Sequence, residues 1–368
     1  MRWIIFFAVF AVVYGGPHYY LFRKAKQFLP WPGAVAAAGL FLALMVAGPF
    51  LTRWLEHGGY ETGARAFAFA VFTWMGFALI FFACLGAVKL GLLAFPQVRS
   101  GAGFLLALAA AAVLTGVGYQ AAFAPRIERV RIASPRWTDA SRPLRIAQIS
   151  DIHVGMIVRK ARLEKLLAPL ADLQPDVIVS TGDLVDAQIN HCQDSLPVLA
   201  ALQAPLGKFA VNGNHEFYSG LDQAQEFTRA AGFRLLRGEA VQAGPGLWIA
   251  GVDDPAARRM GRAAFTQAPG SENATGFRLL LKHRPEPEKN PAAYDLQLSG
   301  HVHAGQIFPF SLLTRLAHRY HAGLYELARD SWIYVSRGTG TWGPPLRLLA
   351  APEITLIEIT AATGVGQP

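Results

Sequence analysis

Four long apolar runs fill the first third of the chain, from Trp3 to Phe22, Phe28 to Leu51, Ala66 to Val88 and Gly101 to Ala124. A helix rising about 1.5 Å per residue needs about 20 such residues to cross a hydrocarbon core of about 30 Å, and each run has that length. Hydrocarbon offers the backbone no hydrogen-bond partners, so the runs should be helices. They predict a four-helix transmembrane region over residues 1–124. The first run contains Gly15, Gly16 and Pro17, and Pro17 and His18 weaken its second half. A cleaved signal peptide fits that run less well: its basic start is Arg2 alone, and another apolar run follows instead of a polar mature region.

Beyond Arg126 the period changes. Residues 125–143 read as a linker. Leu144–Ser150, Asp176–Thr181, Lys208–Asn212, Arg278–Lys282, Leu296–Ser299, Trp332–Ser336 and Glu353–Thr360 read as strands. Leu163, Leu166, Leu167, Leu170 and Leu173 recur on one helical face. Strand–helix alternation early and strand-rich sequence late predict an α/β sandwich over residues 144–360, with a short tail at 361–368. No fixed-period repeat is visible.

Composition sharpens the membrane reading. Of the 368 residues, 52% are hydrophobic and 16% charged, against about 25% charged in an average soluble domain. The net charge of +9 sits mostly in the first 124 residues, where eight Lys/Arg against two Asp/Glu give +6. This is loop charge flanking membrane spans. With no long basic run interleaved with aromatics, nucleic acid is not an expected partner. Four spans would put Arg2, Arg53, Arg65, Arg126, Arg129 and Arg131 on one side and Arg23, Lys24, Lys26, Lys89 and Arg99 on the other. Six against five leans toward a cytoplasmic C-terminal domain on a multi-pass bacterial inner-membrane protein. No span carries an acid or base that would mark an ion pathway, so anchoring fits better than transport. Cys84 and Cys192 cannot build a disulfide framework. Cys192 lies beside His191, but no second ligand pair at zinc spacing accompanies them.

The chemistry gathers where predicted strands end. Asp151 and His153 close the first strand, Asp183 the second, Asn214 and His215 the third, His283 a later one, and His301 and His303 the next. Loops at strand carboxyl ends are the usual place for an α/β site. Imidazole with carboxylate suits Zn²⁺, Mn²⁺ or Fe with positions open to water and substrate. Six such groups and one bridging carboxylate suffice for two adjacent cations, which can acidify water and clamp a phosphate. The glycines before Asp183, Asn214 and His301 let the backbone turn sharply.

These motifs, in this order from about Leu144 to Thr360, resemble the calcineurin-like metallophosphoesterases, and most of all their bacterial membrane-linked branch. The resemblance is carried by Gly-Asp-Leu-Val-Asp at 182–186, Gly-Asn-His-Glu-Phe-Tyr-Ser-Gly at 213–220 and Ser-Gly-His-Val-His-Ala-Gly-Gln at 299–306. Ser-Arg-Gly-Thr-Gly at 336–340 and Pro-Glu-Ile-Thr-Leu at 352–356 add to it. It implies an α/β/β/α sandwich and a hydrolase with two divalent metal ions, Mn, Fe or Zn. By the same resemblance Asp151, His153 and His303 would hold one metal, Asn214, His283 and His301 the other, and Asp183 would bridge them. His215 would be the non-ligand histidine that stabilises charge or protonates the leaving oxygen. Glu216 stands where many members have Asp, and a longer acid can still orient that imidazole.

Other residues are less pointed. Asp186 reads as a helix N-cap or loop acid. Arg284 and Arg337 suit bidentate phosphate contact and a solvated face equally. His318 and His321 read as surface residues. The run Ile307–Leu313 is either an apolar rim for acyl chains or core beneath the site. Similar membrane-linked phosphoesterases have been tied to lipid precursors such as UDP-2,3-diacylglucosamine in lipid A synthesis. The expected substrate is therefore a phosphate ester or pyrophosphate, lipid-linked by preference. The alternatives are a broad phosphodiesterase on soluble substrates and a membrane sensor that binds metal without turnover. Oligomeric state is left open.

Overall fold

The computed structural model describes residues 2–94, 100–186, 192–269 and 275–362. It divides into two units, Met1–Thr115 and Gly116–Pro368.

The first unit is helical. Helices α1 (Arg2–Phe10) and α2 (Gly16–Ala25) are joined by a π-helical turn at Ala11–Gly15, followed by α3 (Pro32–His57), α4 (Glu61–Ala94) and α5 (Ser100–Ala121), whose residues from Gly116 on belong to the second unit. Among the described residues three helices, not four, are long and apolar enough to cross a membrane: Pro32–His57, Glu61–Gly91 and Gly101–Ala121. The first apolar run falls short for a local reason. Its helix widens into a π-helical turn at Ala11–Gly15, and the part after that turn carries Pro17, His18, Arg23 and Lys24. His18 has a structural partner set: Trp74 Nε1–H donates to its Nε2 at 2.8 Å, and its Nδ1 donates to the Tyr14 carbonyl at 2.7 Å. α3 and α4 approach closely at Gly48, where a methyl group would stand 2.5 Å from Val71 Cγ2, the small-residue contact common between membrane helices.

The second unit is an α/β/β/α sandwich. Its strands are β1 (Arg126–Ser134), β2 (Leu144–Ile149), β3 (Val177–Ser180), β4 (Lys208–Ala210), β5 (Arg234–Leu235), β6 (Glu239–Gly244), β7 (Leu247–Gly251), β8 (Phe277–Leu281), β9 (Leu296–Ser299), β10 (Gly323–Ala328), β11 (Ser331–Val335) and β12 (Glu353–Ala361). Its helices are α6 (Lys160–Leu167), α7 (Leu196–Ala200), α8 (Asn214–Ser219), α9 (Leu221–Ala230), α10 (Ala256–Arg259) and α11 (Phe310–Ala317). One sheet runs β1-β12-β2-β3-β4-β5, the other β10-β11-β9-β8-β7-β6.

The two-residue period of the strands sorts their apolar side chains between two cores. Leu144 and Ile146 of β2, Val177 and Val179 of β3, and Ile357 and Ile359 of β12 meet Ile249, Leu279, Leu281 and Leu298 of the other sheet. Their neighbours Ala147, Ile149, Ile178 and Leu356 face the helix layer, where Leu163, Leu166, Leu199 and Phe227 pack. Being covered on both faces, these strands read as continuous apolar runs.

The residues read as a linker begin with a strand. β1 pairs parallel with β12 from Arg126↔Glu353 to Ser134↔Ala361. Its alternating Arg and Ile follow from an edge position with one exposed face.

Candidate metal centre

Strands β2, β3, β4 and β5 are parallel in one sheet, and β7, β8, β9 and β11 in the other. Their carboxyl ends carry Asp151 and His153 (after β2), Asp183 (β3), Asn214 and His215 (β4), His283 (β8), and His301 and His303 (β9). All eight predicted residues come together there. His153 Nε2 lies 3.1 Å from His303 Nε2, and His303 Nε2 lies 3.4 Å from Asp151 Oδ1. Asp183 Oδ2 is 3.1 Å from His283 Nε2 and 3.8 Å from His153 Nε2. His283 Nε2 is also 3.2 Å from both Asn214 Oδ1 and His301 Nδ1.

The turns that achieve this are strained. Asp151, His153, Asp183, His301 and His303 all have φ between 51° and 73°, the left-handed region that non-glycine residues rarely adopt. Five such residues in one cluster are stored strain of the kind found at functional sites. Asp151 is fixed by the Ser150 hydroxyl at 2.5 Å and by the His301 N–H at 3.0 Å. Glycine is required at 300, because a methyl group there would stand 2.0 Å from Ser150 Oγ and 2.2 Å from Asp151 Oδ2. Gly300→Ala should therefore displace Asp151 and weaken Mn²⁺ affinity at least about tenfold, the scale for disturbing a ligand's support. Calorimetric titration checks this, and unchanged affinity would show that Asp151 is not held against Gly300.

The donor chemistry fits divalent cations. A carbonyl oxygen only accepts, so His283 Nδ1 must donate to the Thr181 carbonyl, at 2.8 Å. In the neutral ring Nε2 then presents a lone pair, facing oxygen atoms of Asp183 and Asn214 and a ring nitrogen of His301. Several lone pairs aimed at one point need a positive charge between them. A proton can serve: against burial, Asp183 and then Asp151 lift His283 to about 10. A cation bound there would displace that proton. The imidazoles of His153, His303 and His301 are kept neutral, the form in which a ring nitrogen can bind a cation. Burial, then His215, takes His153 down to about 4. Burial, then Arg347, holds His303 well below its ordinary value. Burial, then His283 and Arg284, pushes His301 down to about 2. Asp151–His153–His303 and Asp183–His283–His301 are each close enough to hold a metal ion, and so is His153–Asp186–His215.

Several residues behave differently from the sequence reading. Asp186 takes part in the site: its Oδ1 lies 2.5 Å from His215 Nδ1. Against burial, Asp186 and Asp183 raise His215 to about 9. Glu216 is turned away from that imidazole. It accepts from the backbone N–H groups of Gly213 (2.7 Å), Leu184 (2.7 Å), Asp183 (3.1 Å) and Val185 (3.2 Å), tying the loops after β3 and β4 together. Arg284 reaches the site, with Nη1 at 3.0 Å from His301 Nε2 and Nε donating to Asp254 at 2.7 Å. Arg337 does not; it is paired with Glu353 and Glu128. His318 is half-buried with its ring 6.2 Å from His301, and His321 is buried against Thr314 at 2.9 Å. Cys192 is buried with Sγ 3.5 Å from the Val154 carbonyl, while His191 lies outside the described residues.

Four contributors were missed. Asp254 follows β7, an unrecognised strand, and anchors Arg284. Arg347 is fully buried behind His303 and donates to the carbonyls of His303 (3.1 Å), Gly340 (2.7 Å) and Arg337 (2.6 Å). Half-exposed Tyr218 and Trp342 stand edge-on to His215, at 5.4 and 5.6 Å between ring centres.

The calcineurin-like phosphoesterase family pattern matches residues 144–305. An "uncharacterized metallophosphoesterase" of Aquifex aeolicus (strain VF5) is 40% identical over 240 residues, which are 64% of this chain and 91% of that one. One of Helicobacter pylori (strain ATCC 700392 / 26695) is 38% identical over 221 residues, 59% of this chain, and this chain spans only 60% of its length. A "transmembrane protein with metallophosphoesterase domain" of Bos taurus is 30% identical over 392 residues, covering 93% of this chain and 86% of that one.

Proposed function

We propose, from the premise that this chain belongs to the calcineurin-like phosphoesterase family, that it is a two-metal hydrolase of a lipid-linked phosphate ester or pyrophosphate. In this reading Asp151, His153 and His303 hold one divalent cation, Asn214, His283 and His301 hold the other, and Asp183 serves both. The cations are Mn, Fe or Zn, since all three accept this donor set. The observation that carries the reading is the convergence on Asp183, whose Oδ2 lies 3.1 Å from His283 and 3.8 Å from His153.

Bound divalent cations supply Lewis acidity and acidified water near neutral pH. The protein's own groups do the rest. His215, charged and held by Asp186, donates a proton to the leaving oxygen. Arg284, fixed by Asp254, offers a guanidinium to the phosphoryl oxygens. Tyr218 and Trp342 border the leaving group beside His215. Glu216 and Arg347 bind no substrate; they hold the loops that carry Asp183 and His303.

The chain's own spans hold it at a bilayer, and the lipid-linked substrate class is drawn from that address. We place it in a bacterial inner membrane. Counting three crossings moves Arg2 to join Arg23, Lys24, Lys26, Lys89 and Arg99. The balance becomes five against six, and the charge rule no longer favours a cytoplasmic catalytic unit. The test is to offer purified full-length protein UDP-2,3-diacylglucosamine with Mn²⁺. UMP release is expected. Turnover of a generic aryl phosphodiester without UMP release would remove the lipid-linked substrate and leave the phosphoesterase standing.

A further inference from the structure

The helix that follows the last metal motif buries none of its residues. α11 has the sequence Phe-Ser-Leu-Leu-Thr-Arg-Leu-Ala, and its exposed side chains include Phe310 (47%), Leu312 (52%), Leu313 (59%) and Leu316 (85%). Phe308, just before it, is 38% exposed, and Leu349 nearby is 81% exposed. Ile307 alone of this run is core, at 3%. A contiguous apolar patch of this kind marks an interaction surface. We propose that α11 lies in the surface of the bilayer that this chain spans, with its leucines in the acyl boundary.

Three observations favour lipid over another protein. The membrane span α5 ends in the same unit, and its last turn is tied to the patch: Arg347 N–H donates to the Gly118 carbonyl at 2.9 Å. The Leu348 carbonyl then accepts from Phe308 N–H at 3.0 Å, so two hydrogen bonds separate the end of the span from the start of the apolar run. Residues 307–319 contain no acid, and Arg315 and Arg319 are exposed. A short apolar face flanked by arginines matches an interfacial helix on anionic lipid. Finally, α11 is fixed closely to the site. A methyl group at Gly305, two residues after His303, would stand 2.3 Å from Ser311 Cα. A docked α11 therefore holds the metal-motif loop at the headgroup level.

The test labels the full-length chain, in a Cys84→Ala/Cys192→Ala background, with an environment-sensitive fluorophore at Leu316→Cys. A second variant, Leu313→Cys, guards against a local folding failure, and Asp222→Cys is the exposed control, its side chain being 81% accessible. Each is reconstituted into phosphatidylcholine/phosphatidylglycerol vesicles, with nitroxide lipids in both leaflets or iodide on both sides. Nitroxide lipids should quench the α11 probes at least about twofold more than the control, and iodide should quench them less. Iodide quenching equal to the control overturns the proposal. So does protection from both quenchers, which would mean that a second copy or another protein covers the face.

Discussion

Asp183→Asn is expected to lower kcat at least about 1,000-fold, the scale for losing a preorganised charge or a metal's support at the reacting centre. The carboxylate has three tasks. Its Oδ2 stands between His283 and His153, at 3.1 and 3.8 Å. Its Oδ1 accepts the His215 backbone N–H at 2.8 Å. Its negative charge, kept well below the ordinary carboxylate range by His283 and His215 against the effect of burial, balances the cationic groups around it. Asparagine has the same shape and can keep the bond to His215, so the fold should persist while the charge is lost. Two measurements separate these effects: metal content of the purified variant, and turnover of an aryl phosphodiester at saturating Mn²⁺. A variant that keeps both metals and more than a tenth of the parent rate would refute the shared-ligand role.

The positions of these groups were legible in the sequence because each lies at a strand end, where a break from β-branched to polar residues is easy to see. Partnerships were not. Glu216 follows His215 directly, and adjacency suggested that it orients the ring. At the start of a helix, however, a residue one position on points elsewhere, and Glu216 accepts the N–H of Gly213, which precedes α8, and those of the Asp183 loop instead. Asp186 lies 29 residues from His215, and nothing in a linear pattern joins them. Arg347 carried no signal, since a buried arginine and a solvated one look alike in sequence. β7 was hidden because Leu247–Gly251 is short and ends in small residues, and Asp254 was hidden with it. The first apolar run was overcounted as a span because apolar composition does not report the π-helical turn at Ala11–Gly15 that separates two short α-helices.

The Asp186–His215 pair yields the other large effect. His215→Ala should reduce kcat about 100- to 10,000-fold on alkyl phosphodiesters, the range for losing a positioned general acid. Aryl esters with good leaving groups need no proton and should lose far less. Asp186→Asn keeps the imidazole in place through its amide oxygen but removes the charge that raises it. The sign follows directly. A histidine whose pKa is raised to about 9 keeps its proton up to that pH and loses it above. Without the Asp186 carboxylate, burial pulls the value down from about 9, with Asp183 and Glu216 still opposing it. The alkaline limb of kcat/KM should therefore move to lower pH in Asp186→Asn, while the acid limb stays where it was. His215→Ala should flatten the alkaline limb on alkyl esters. An alkaline limb unmoved by Asp186→Asn would mean that the proton reaches the leaving oxygen from another group. The pair would then serve only to pack His215 against His153, whose ring centre is 4.7 Å away.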